Sequence, residues 1–161
     1  MSANSSLNYA EIKTAFSRIG KSIAVITLAD ADGRQATISS AFTYLTQQPP
    51  TLLLALEKSS SLYGKLTAGQ RFAVNVLGDG HQAVVDACAR QKGEARFSVG
   101  DWQLQHDVPV LADAQAAFVC ELAQLNEFET HGLLVASVKA VAIHGEVSPL
   151  IYVGGGLQVC G

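Results

Sequence analysis

The sequence predicts a mainly β fold with a few helices, its short strands closing into an antiparallel barrel. Three observations carry that expectation. Runs rich in β-branched and apolar residues are joined mostly by hairpin-type turns, not by helical crossovers. Helical patterns are few and interrupt the strands instead of alternating with them. Of the 161 residues, 48% are hydrophobic and 16% charged, which suffices for a real core in one domain spanning 1–161.

The elements follow in order. "NYAEIKTAFSRIG" is a helix capped by Asn8, with Glu11 completing a capping box. Ile12, Ala15, Phe16 and Ile19 share one face, and Gly20 supplies the stop. "SIAVITLA" is a strand, "DADG" a hairpin turn, and residues 34–40 the returning strand. Residues 36–56 read as a small-residue, hydroxyl-bearing strand edge, a loop at Pro49 and Pro50, and "TLLLALE" as a strand buried on both faces. "SSSLYGKLTAG" is a short helix with Leu62 and Leu66 on one face and Gly69 at its end. "RFAVNVL" is a strand and "HQAVVDACARQ" a helix. Gly93 to Leu111 has no clear period, with Phe97 and Trp102 as its anchors. "AQAAFVCELAQLNEFE" and "HGLLVASVKAVAIHGEV" are two long antiparallel strands, and "PLIYV" is the last strand.

Several function classes have no support. The formal net charge is −3 and no basic block exists, which argues against nucleic acid as a partner. The three cysteines, Cys88, Cys120 and Cys160, show no CxxC or metal-finger spacing, so the metal expectation is none. An odd cysteine count fits a reducing compartment. The opening "MSANSSLNYAEIK" lacks the apolar core of a signal peptide, and no stretch reaches the roughly 20 apolar residues of a bilayer span. A soluble cytoplasmic protein without membrane contact is expected. No GxGxxG, P-loop or HExxH is present. The "GGG" at 154–156 is a flexible turn, since no helix follows to make it a phosphate cradle. The four histidines, His81, His106, His131 and His144, lack metal-ligand spacing to one another.

Ser59, Ser60 and Ser61 stand at a strand-to-helix junction beside Lys58. Two readings fit them. They are N-caps, or their hydroxyls and the free N–H groups of the helix start hold an anion.

The order of the pieces adds more. "FSRIGKSIAVIT", "ATISSAFTYLTQQPP", "LEKSSSLYGKL", "RFAVNVL", "ARFSVGDW", "PVLADAQAAFVCEL" and "THGLLVASV" follow one another with little insertion. In this succession the chain resembles the flavin reductase family, small NAD(P)H-dependent reductases with a split β-barrel of the FMN-binding type.

The resemblance implies FMN or FAD as cofactor and NAD(P)H as co-substrate. The isoalloxazine ring would lie along Thr37, Ile38, Ser39, Ser40 and Ala41, held largely by backbone groups. Thr37 and Ser40 would add hydroxyl donors. Glu57, Lys58, Ser60 and Ser61 would complete the cofactor set, with the phosphate near Lys58 and the serines. His131, in "ETHGLLVASV", would stand at the nicotinamide or flavin edge as the catalytic candidate, to orient the carboxamide or stabilise charge on the reduced ring. Tyr152 and Gly155 would lie on the nicotinamide side. In relatives a cation and a later aromatic stand where this chain has Gly154 and Leu157, and Ala136 replaces a glycine. The implied activity is hydride transfer from NAD(P)H to flavin by a homodimer, with reduced flavin passed to a separate monooxygenase. A flavin-binding redox sensor or electron carrier without turnover is the alternative, and a barrel that binds no flavin is a third reading.

Overall fold

The computed structural model describes residues 6–160. The reading of the first residues as lacking a leader falls in part on 1–5, outside the described residues. The mainly β class with a few helices holds. A first helix, α1 (Tyr9–Ser17), precedes β1 (Lys21–Ser22), β2 (Ala24–Asp30), β3 (Gly33–Ser39), β4 (Phe42–Gln47) and β5 (Pro50–Glu57). After β6 (Arg71–Val76) come α2 (Gln82–Arg90), β7 (Trp102–Gln105), β8 (Val108–Leu111), β9 (Ala116–Glu127), β10 (His131–Ile143), β11 (Leu150–Val153) and β12 (Gly156–Val159). Seven strands form one antiparallel sheet in the order β3-β2-β6-β9-β10-β5-β4. A second sheet orders β1-β11-β12, and β7-β8 is a hairpin of its own.

The barrel is split, not closed as the turn pattern suggested. The edge strands β3 and β4 follow each other in the chain, linked by Ser40 and Ala41, yet no ladder joins them among the described residues. The sheet instead bends until its edges meet at one corner. There the Ala55 N–H donates to the Ala41 carbonyl at 2.8 Å, and Ser39 Oγ donates to the Ala55 carbonyl at 3.3 Å. Two apolar cores form, one built on Val25, Leu77, Val119 and Leu111, the other on Ile26, Leu54, Phe72 and Leu134. Buried Asn75 donates to the Val25 carbonyl and accepts from the Leu111 N–H at 2.9 Å, tying β8 onto the sheet.

Several expected elements differ. The "SSSLYGKLTAG" helix is only a 3₁₀ turn over Tyr63–Lys65, because Ser60 Oγ accepts the Tyr63 N–H and closes the chain locally. Leu62 and Leu66 are nonetheless both buried. Strand β5 buries Leu52, Leu54 and Leu56 on one face and leaves Leu53 and Ala55 half-buried on the other. The capping box of α1 is half built: Asn8 Oδ1 accepts from Ala10 and Glu11, but Glu11 returns no bond among the described residues. The helix ends at Ser17, before Gly20, and buries none of its residues. Phe16 and Ile19 remain 63% and 56% exposed.

The β7–β8 hairpin was invisible because its turn is His106–Asp107, both at positive φ, in place of the usual Asn-Gly. Phe97 and Trp102 do anchor that segment, edge to face at 5.1 Å. The triple glycine is not loose. Gly154 and Gly155, at φ 62° and 82°, form a two-residue turn between β11 and the unexpected β12. The Gly154 N–H also donates to the Ser17 carbonyl at 2.6 Å. No helix among the described residues is long and apolar enough to cross a membrane.

Candidate functional site

The corner where the sheet edges meet opens into a cleft. Thr37, Ile38, Ser39, Ser40 and Ala41 form one wall of a cavity of about 210 Å³, and Ala55, Glu57, Ser60 and His131 complete it. The small side chains at 39–41 leave the backbone accessible, because Ala41 offers only a methyl and Ser39 turns its hydroxyl to the Ala55 carbonyl and the Ala41 N–H.

Two further cavities adjoin this one and share its residues. The first, about 470 Å³, shares Thr37, Glu57 and Ser60 and adds Gln35, Ser59, Ser61, Lys92, Gly93 and Arg96. Its hydroxyls and two cations suit an anion. The second, about 240 Å³, shares Ser40, Ala41 and Ala55 and adds Phe42, Thr43, Leu53, Leu54 and Leu133. It is mostly apolar. The outward face of β5, which made "TLLLALE" look buried on both sides, lines this end.

The cleft therefore runs from a cationic end through a polar middle to an apolar end. A flavin carries the same chemistries: a phosphate on a polar ribityl chain, and a ring system with a hydrogen-bonding pyrimidine edge and an apolar dimethylbenzene edge. The donor set fits it.

Glu57 and His131 are cross-strand partners in the β5–β10 ladder. His131 Nδ1 lies 2.7 Å from Thr130 Oγ1, so one ring nitrogen is engaged at the strand start. Gly132 follows, and the Tyr63 ring sits where its side chain would be: a Cβ there would fall 2.4 Å from Tyr63 Cε2. The Tyr63 hydroxyl donates to Glu127 Oε1 at 3.2 Å. Desolvation, and then the Glu127 carboxylate, push the Tyr63 phenol above its ordinary value. The seryl turn and the His131 strand are thus packed together.

Not every sequence candidate meets here. Lys58 lines none of the three cavities, and its N–H donates to the Thr130 carbonyl at 2.9 Å. Lys92 and Arg96 bring the cations instead. Sequence reasoning missed both because they lie on either side of Gly93, at the edge of an aperiodic segment, though "ARFSVGDW" contains Arg96. Tyr152 and Gly155 stand on the β11–β12 hairpin, outside the cleft. The Tyr152 ring receives the Lys21 ammonium at 5.8 Å. Among the described residues no three His, Cys, Asp or Glu side chains group as metal ligands.

A larger cavity, about 490 Å³, opens on another flank of β4, lined by Phe42, Tyr44, Pro50, Leu52, Phe118, Val138 and Val141 among others. Its lining holds no Lys, Arg, Asp or Glu, so it offers no charge to a phosphate.

The chain is 36% identical over 145 residues to an FMN reductase (NADH) RutF of Variovorax paradoxus strain S110, covering 89% of this chain and 81% of the relative. Two solved structures share the fold. The NADH:FAD oxidoreductase SgcE6 of Streptomyces globisporus C-1027 superposes with a TM-score of 0.85 at 23% identity, over 94% of this chain and 92% of the other. The styrene monooxygenase flavin reductase SMOB of Pseudomonas putida S12 gives 0.83 at 24% identity, over 94% and 97%. The family model of the flavin reductase like domain matches residues 16–161, and this chain belongs to that family.

Proposed function

We propose that the protein is an NADH-dependent flavin reductase acting on FMN. The observation that carries this reading is the order of chemistry along the cleft, cations and hydroxyls at one end and an apolar wall at the other. The name of the Variovorax relative supports FMN over FAD and NADH over NADPH.

A bound flavin supplies the hydride-accepting chemistry, and the chain supplies binding and orientation. Lys92, Arg96, Ser59 and Ser61 hold the phosphate. The backbone of Thr37–Ala41 carries the ring, with the Thr37 and Ser40 hydroxyls available as donors. His131, engaged by Thr130 at Nδ1, leaves Nε2 free of that bond and would orient the nicotinamide carboxamide or stabilise charge at the edge of the ring. Glu57 lines both the middle of the cleft and the phosphate end, where Lys92 and Arg96 outweigh its single charge.

A homodimer is part of the same reading. The unburied apolar face of α1 and the apolar groove beside β4, with Tyr44 and Val141 exposed at 64% and 53%, support it. Tyr152 and Gly155, outside the cleft of their own chain, would then act across the dimer. Release of reduced flavin to a separate monooxygenase is supported by the likeness to SMOB. Cytoplasmic residence is supported by three free cysteines. The sensor or carrier alternative drew only on the altered C-terminus, where Gly154 and Leu157 stand in place of a cation and an aromatic, and those positions lie on the β11–β12 hairpin, outside the cleft.

A steady-state assay crossing FMN and FAD with NADH and NADPH tests the reading. The expected result is NADH oxidation that requires added flavin and is most efficient with FMN. Flavin binding without NADH oxidation would establish a carrier instead.

A further inference from the structure

We infer that the tip of the β2–β3 hairpin is a positioning element that sets the geometry of the phosphate end of the cleft. The inference rests on the proposed placement of the flavin phosphate beside Ser59–Ser61, Lys92 and Arg96.

Both walls of that end are tied to the hairpin by charge. One wall is the seryl turn. It leads into the 3₁₀ turn ending at Lys65, whose Nζ donates to Asp30 Oδ2 at 2.7 Å and Asp32 Oδ2 at 2.9 Å. The other wall is the segment of Lys92 and Arg96. Glu94 lies between them and is clamped by the Arg34 guanidinium through two hydrogen bonds. The same guanidinium stacks 4.3 Å from the Phe97 ring centroid. Between the walls lies β3 itself, with Gln35 and Thr37 as the floor. One hairpin thus supplies the floor and one charged clamp for each wall. None of the clamp residues lines the cavity.

The clamps predict a sign that the electrostatic field alone does not. Removing Asp30, Asp32 or Glu94 takes negative charge from the neighbourhood of an anion site. By field alone, FMN would bind more tightly. By positioning, FMN binds more weakly, because a wall is released.

The experiment titrates FMN and riboflavin into wild type, Asp30→Asn/Asp32→Asn, Glu94→Gln, Lys65→Met and Lys65→Arg, reading flavin fluorescence. Riboflavin lacks the phosphate, so it reports the ring site alone. The acid-removing variants are expected to weaken FMN about two- to fivefold, the scale of exposed ion pairs, with riboflavin unchanged. Lys65→Met should do the same and Lys65→Arg should restore the wild-type value. Tighter or unchanged FMN binding in both acid-removing variants overturns the inference. Equal loss for FMN and riboflavin also overturns it, since the hairpin would then support the fold in general. Wild type binding riboflavin as tightly as FMN would sink the phosphate placement itself, and the inference with it.

Discussion

Glu57 and His131 face each other as a cross-strand pair and line the same small cavity. Thr130 Oγ1, 2.7 Å from Nδ1, gives the imidazole a defined orientation at the strand start. His131→Ala is therefore expected to lower kcat/KM for NADH about tenfold, or roughly 1.4 kcal/mol, while FMN affinity changes less. Thr130→Val should lower it in the same direction and by less, whereas Thr130→Ser should keep wild-type kinetics. Unchanged NADH kinetics in His131→Ala would reduce this histidine to a strand end.

At the other end of the cleft, Arg96 donates Nε to the Gln91 carbonyl at 3.0 Å and Nη1 to the Ala36 carbonyl. Its guanidinium is held in place before any ligand arrives. Arg96→Met should weaken FMN by about 1.5–3 kcal/mol, the usual worth of a hydrogen bond to a charged group. Riboflavin should be affected far less. Ser60→Ala is expected to act differently from Ser61→Ala. Ser60 Oγ already caps Tyr63, so its loss lowers the melting temperature, whereas Ser61→Ala should show only in FMN affinity. Equal effects of the two on melting and binding would refute this division.

Much of this was legible in the sequence. The β2–β3 hairpin and the two long strands follow from periodicity and turn residues, and Phe97 and Trp102 stand out as the large aromatics of an aperiodic segment. The site was legible only where its residues are contiguous. Thr37–Ala41 form one strand end, and the serines form one turn. Lys92 and Arg96 reach the cleft because Arg34 and the Ala36 carbonyl hold a 3₁₀ segment against β3, a relation between residues about 60 apart. No local pattern encodes that. Strand β4 was hidden for another reason: it is an exposed edge, and "FTYLTQ" lacks the alternation of a half-buried strand.

The clamp charges also fix a pH window. Hydrogen bonds from Lys65 and Arg34 hold Asp30 and Glu94 below their ordinary values of 3.8 and 4.5. A depressed carboxyl contributes stability above its unfolded value and loses it as pH falls through the folded one. The bond to Asp30, then that to Asp32, raises Lys65 above 10.5, so its contribution is present below that value and lost at higher pH. The melting-temperature gap between wild type and Lys65→Met should stay constant from about pH 5 to 10 and shrink on either side. A gap as wide at pH 3 as at pH 7 would mean the lysine acts through packing, not charge.

Gly132 supplies a steric prediction. A methyl at this position would meet Tyr63 Cε2 at 2.4 Å and Leu125 Cδ1 at 2.9 Å. Gly132→Ala should cost about 1–3 kcal/mol, the scale of overpacking. Displacing Tyr63 should also disturb the seryl turn and weaken FMN. In a Tyr63→Ala background Gly132→Ala should cost less than it does in the wild type, because the obstructing ring is gone. An equal cost in both backgrounds would place it at Leu125 or the backbone instead.

The last prediction concerns the glycines at the C-terminal turn. Family resemblance invites restoring a cation at Gly154, on the idea that a loose glycine tail leaves the nucleotide poorly held. The structure argues the opposite. Gly154 stands at φ 62° and Gly155 at φ 82°, in a two-residue turn that pairs Val153 with Gly156. A side chain at either position forces an L-residue into the left-handed region, at about 1–2 kcal/mol. No atom would block it, since an added Cβ at Gly154 meets nothing within 4 Å. The penalty is therefore purely conformational. Gly154→Arg should lower the melting temperature by the same amount as Gly154→Ala, and Gly154→Asn by less, because Asn tolerates the left-handed region. Because this turn lies outside the cleft of the same chain, Gly154→Arg should leave the KM for NADH unchanged. A lowered KM in that variant would show that the hairpin reaches a nucleotide after all, from across a dimer.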